Sequence, residues 1–75
     1  MTRMTRKQFD NRIAAARMFV LNEEVDEGEQ TLQDAAEEAA DMLLQEPEVE
    51  EFSKKHFRTE NRRKLKSHIA SLITN

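Results

Sequence analysis

Apolar residues return along this chain at intervals of three and four, the period of helices that each bury one side. The first stripe is Phe9, Ile13, Ala16 and Val20. Thr5 followed by Gln8 has the form of a capping box, in which each side chain satisfies a backbone donor at the other end. The spacing predicts a first helix over about 6–22, with residues 1–4 flexible. Met18, Phe19 and Leu21 lie beside the narrow stripe, so this helix is expected to have two buried sides. The polar run after Asn22 contains Gly28, the residue best suited to a turn, and reads as the first loop.

Thr31 is placed to cap a second helix over about 31–46, with Asp34 in its first turn. Its stripe is Leu32, Ala36, Ala39 and Leu43, flanked by Ala35, Ala40, Met42 and Leu44, while Glu37, Glu38 and Asp41 fall on the wet face. The alanines allow a neighbouring helix to approach closely. Pro47 ends this helix and suits the first position of the next, over about 47–58. Glu48, Glu50 and Glu51 sit where the helix dipole favours acids, Lys54, Lys55 and Arg58 where it favours cations, and Val49, Phe52, His56 and Phe57 form the inner side. At Thr59 two readings stay open: a cap for a fourth helix over about 60–73, or a third helix that runs on. The last stripe is Leu65, Ile69, Leu72 and Ile73 in both cases.

The fold expected is all-α: three or four short amphipathic helices in one domain, a helical hairpin or small bundle. One Gly and one Pro in 75 residues agree with it. Twenty large apolar side chains make only a thin core, and small domains of this kind usually need a disulfide, a metal or a second chain. Cysteine is absent, which leaves association. A homodimer is therefore expected, with Phe9, Ile13, Met18, Phe19, Leu44, Leu65, Ile69 and Leu72 as candidate interface residues. Polar residues interrupt the N-terminal stretch at Asp10, Asn11, Arg12 and Arg17, so neither a signal peptide nor a membrane span is expected. A cysteine-free chain suits a reducing cytoplasm.

Charge sharpens the picture because it is sorted into blocks. Residues 1–20 carry Arg3, Arg6, Lys7, Arg12 and Arg17 against Asp10 alone; residues 21–51 carry thirteen acids and no Lys or Arg; residues 52–75 carry seven cations against Glu60. The net −3 conceals this pattern. It predicts that the acidic helix lies antiparallel beside basic neighbours, in its own chain or across a dimer.

Candidate chemistry is sparse. A nucleophile would need an oriented base, and the two histidines, His56 and His68, are twelve residues apart with only helical serines nearby. No enzyme activity, cofactor, small-molecule substrate or metal is expected. His56 with Glu60, and Asp34 with Glu37, Glu38 and Asp41, have helical spacing but do not make up three or four convergent ligands. The run Lys54, Lys55, Arg58, Arg62, Arg63, Lys64 and Lys66 is a candidate nucleic-acid contact, provided that the fold holds the acids away from it. Conversely, Glu37, Glu38 and Asp41 with Glu48, Glu50 and Glu51 would suit a mimic of DNA phosphates.

The opening Thr5-Arg6-Lys7-Gln8-Phe9-Asp10, followed by Ile13-Ala14-Ala15-Ala16-Arg17-Met18-Phe19, resembles the small accessory proteins encoded in early regions of lambdoid bacteriophages. The resemblance covers the first quarter of the chain and carries over no binding residue. It implies a non-enzymatic modulator of a host process, acting on a host protein in the host cytoplasm.

Overall fold

The computed structural model describes residues 3–22 and 32–75, and among them the chain forms four helices and no strand. They are α1 (Arg6–Asn22), α2 (Leu32–Leu44), α3 (Pro47–Phe57) and α4 (Arg62–Thr74). The expected loop at Gly28 and the expected cap at Thr31 lie outside the described residues.

Local signals set most boundaries. At the start of α1 the Thr5 backbone N–H donates to Gln8 Oε1 at 2.9 Å and the Gln8 N–H donates to Thr5 Oγ1 at 3.1 Å, which is the capping box formed in both directions. Met4, expected to be flexible, packs half-buried against the core because it sits next to this fixed end. Pro47 opens α3 as expected.

The ambiguity at Thr59 resolves as a break. Arg58 adopts the left-handed conformation at φ 55° and ψ 44°, and its N–H returns to the Lys54 carbonyl. Asn61, not Thr59, caps α4: its side-chain oxygen accepts from the Lys64 N–H at 3.2 Å. Thr59 instead accepts from the Asn61 N–H within the turn. A cap of this kind stabilises a helix by about 1 kcal/mol.

Helices α1, α2 and α4 enclose the core, with the most extensive packing between α2 and α4. The close approach relies on small residues: Ala36 and Ala40 on α2 and Ala70 on α4 are fully buried beside Leu65 and Ile69. On α2 the buried set is Ala35, Ala36, Ala39, Ala40 and Leu44. The helix is thus rotated from its expected orientation, leaving Leu32 exposed and Leu43 half-buried. Two apolar stripes compete along this helix, and the alanine-rich one wins because it lets α4 come closer.

Helix α3 closes one end through an aromatic cluster. Phe9 stacks on Phe52 at 4.6 Å between centroids and meets Phe57 edge-on, and Phe57 stacks on His68. Such ring pairs add about 0.5–1.5 kcal/mol beyond burial. His56, expected on the inner side, is exposed, with its ring set edge-on to Phe57. The buried position on α3 next to Val49 is Ser53, whose hydroxyl has no hydrogen-bond partner among the described residues.

Charge pairing follows the helix order. The Arg12 guanidinium holds the Glu46 carboxylate in a two-bonded fork at 3.0 and 3.1 Å, while Arg62 bridges Asp41 and Glu50 at 3.5 and 3.2 Å. The Asp41 contact brings the end of α2 to the start of α4. Just after α2, Glu46 meets the first half of α1 at Arg12, while Ala35 near the start of α2 lies by Phe19 near the end of α1. The acidic helix therefore runs antiparallel to both basic neighbours. Exposed pairs like these contribute little each, but they fix which helix lies beside which.

Candidate interaction surfaces

Burial separates the eight residues expected at an interface. Phe9, Ile13, Leu44, Leu65 and Ile69 belong to the chain's own core, and Leu72 is half-buried against it. The four helices of one copy already cover these five buried residues. Met18 and Phe19 are the two that reach the surface, at 60% and 57% exposed.

Phe19 leads to the first surface. Its side chain leaves α1 towards α2 and, with Ala35, Ala39 and Met42, lines an open groove of about 280 Å³. Met42 is 62% exposed. Glu38 and Asp41 stand on the same groove, on a helix with four carboxylates and no cation. The residues present offer an apolar floor and an acidic rim. Met42 was readable only as a flank of the α2 stripe; what made it a groove residue is the rotation of α2 that buries Ala36 and Ala40.

The second surface is the outward side of α4. Arg63, Ser67 and Ser71 follow one another at four-residue spacing with Lys64 alongside, and all four are exposed. No residue of α4 is acidic. Among the expected nucleic-acid contacts, Arg58 and Arg63 are exposed, Lys54 and Lys66 are half-buried, Lys55 pairs with Glu51 at 3.6 Å, and Arg62 is engaged by Asp41 and Glu50. The expected run thus divides: Arg62 faces the acidic helix, whereas Arg58, Arg63 and Lys64 are exposed and have no carboxylate partner among the described residues.

Arg17 has a role that its sequence position did not reveal. Its guanidinium donates from α1 to the carbonyls of Leu72 at 2.8 Å and Ile73 at 3.2 Å, meeting the unpaired acceptors at the end of α4. Helix α4 has no basic residue in its own last turn, so the cation comes from α1.

Among the described residues, no three His, Asp or Glu side chains converge as metal ligands, and no helix is long and apolar enough to cross a membrane. No protein-family model matches this chain, and neither a curated protein nor a solved structure is significantly similar to it. The functional reading therefore rests on the two surfaces.

Proposed function

We propose that this is a small non-enzymatic regulatory protein that acts by protein contact, and that its contact site is the α1–α2 groove. The observation carrying this reading is the joint exposure of Phe19 and Met42 across one groove with carboxylates at its edge. Large apolar side chains gathered at a concave site gain by being covered, whereas single exposed ones are ordinary.

The occupant that fits is an amphipathic helix of another protein, with apolar residues on one side and Lys or Arg flanking them. An α-helix lays such a face into an apolar groove using anchors one turn apart. The net charge of α2 selects cationic flanks. A second copy of this chain fits less well, because symmetric pairing through the groove sets one acidic α2 against the other. A host protein as partner would agree with the phage-like opening of the sequence.

Isothermal titration with two synthetic helical peptides tests this. They share one apolar pattern and differ in carrying lysine or glutamate flanks. The lysine peptide is expected to bind and to lose affinity on Met42→Asp; equal binding of both peptides, or of neither, overturns the reading. Sedimentation equilibrium reports on the alternative occupant: a dimer at about 10 μM, in the range of weak association, that Phe19→Ser dissociates would assign the groove to a second copy.

A further inference from the structure

We propose that the outward face of α4, together with Arg58 in the turn before it, is a docking site for the phosphate backbone of duplex DNA. The proposal is independent of the groove, which lies on α1 and α2.

A chain with net charge −3 is a poor candidate at first sight. What matters is where the carboxylates stand relative to the cations. Helix α2 packs on the buried side of α4, the side that carries Leu65, Ile69 and Ile73. Apart from Asp41, which reaches Arg62, its acids are thus set back from the outward row by the thickness of one helix, roughly 10 Å. Exposed charges farther apart than about 8 Å are largely screened at physiological salt. Two acids that reach the start of α4 from other helices, Asp41 and Glu50, are both held by Arg62. Among the described residues, helix packing and Arg62 thus keep the acids of α2 and the Glu50 carboxylate behind the face or neutralised, and Glu60 is the acid left beside it.

The face itself has the right chemistry. Arg63 and Lys64 offer cations at its first turn, and Ser67 and Ser71 continue the row with short hydroxyl side chains. Short side chains let a helix approach closely, and Ser, Arg and Lys are usual donors to phosphate oxygens. A helix of this diameter fits the B-DNA major groove, about 12 Å wide.

Arg58 supports the assignment from another direction. It occupies the left-handed region that glycine adopts freely and that costs an arginine steric energy. An exposed cation is thereby kept at the one position in the turn where glycine would be easier. Glu60, exposed in the same turn, is the opposing charge on this side.

Fluorescence anisotropy of a labelled duplex, read from ~50 to ~200 mM salt, tests the proposal. Binding is expected at the low end and should weaken with salt. Replacing Arg63 and Lys64 by alanine together should reduce the log–log salt slope by about 0.9 for every phosphate that is no longer neutralised. Arg58→Gly should weaken binding while leaving the melting temperature unchanged or higher, an outcome that loss of folding cannot mimic. Glu60→Gln should tighten binding, and Phe19→Ser should leave it unaltered. No anisotropy change with duplex at low salt overturns the proposal, as does binding indifferent to Arg58, Arg63 and Lys64. A polyglutamate peptide that competes as well as duplex of equal charge would reassign the face to an acidic protein.

Discussion

The outward side of α4 and the open side of the α1–α2 pair are built from helices of similar length, yet they present opposite chemistry. On α4, Leu65, Ile69 and Ile73 are buried and Leu72 is half-buried, so the outer row is left to cations and serines. On α1 and α2, Met18, Phe19, Leu21, Leu32 and Met42 remain at the surface. The difference originates in side-chain size at the centre. Helix α2 buries four alanines and only one large residue, so it fits tightly against α4 but has no room to take in its own Leu32 and Met42. A core built on alanine leaves large apolar residues over, and they stand exposed on α1 and α2.

The contrast can be broken from the α4 side first. Ile69 is fully buried, so Ile69→Ala is expected to destabilise the fold by about 3–4 kcal/mol, read by urea unfolding followed by circular dichroism. A loss below about 1 kcal/mol, as for a surface change, would place Ile69 outside the core. A smaller effect is expected at Arg17, which ties α1 to the end of α4. Arg17→Ala should cost about 1.5–3 kcal/mol, the range for hydrogen bonds that involve a charged group, with fraying confined to the last turn of α4 in amide exchange. The smallest effect belongs to the opposite surface. Phe19→Ser should change stability by less than about 0.5 kcal/mol while abolishing capture of a basic amphipathic peptide. Marked destabilisation would mean that Phe19 serves the core.

The parts of this fold that could be read from residues alone are those decided within a few positions. Thr5 with Gln8, Pro47, and the stripes of α1 and α4 each carry their own instructions, and the structure follows them. Choices between near-equal local options were not readable. Thr59 and Asn61 are both good capping types, and the difference is made by Asn61 reaching Lys64. The stripes Leu32-Ala36-Ala39-Leu43 and Ala36-Ala40-Leu44 overlap on one helix, and the second prevails through contact with α4, a distant partner. The same limit explains why Phe9, Ile13, Leu44, Leu65 and Ile69 looked suitable for an interface: an apolar stripe does not say whether its cover comes from the same chain. Ser53 gave no signal, being a polar residue buried by its neighbours. Sorted charge was readable as antiparallel packing, but the role of Arg17 depends on an acceptor more than fifty residues away.

The most direct test of the groove is residue-resolved. In amide NMR spectra of the labelled protein titrated with the lysine-flanked amphipathic peptide, shifts are expected at Phe19, Ala35, Ala39 and Met42, with Arg63, Ser67 and Ser71 unmoved. Shifts centred on α4, or none at a saturating peptide concentration, would contradict the assignment of protein contact to the α1–α2 face.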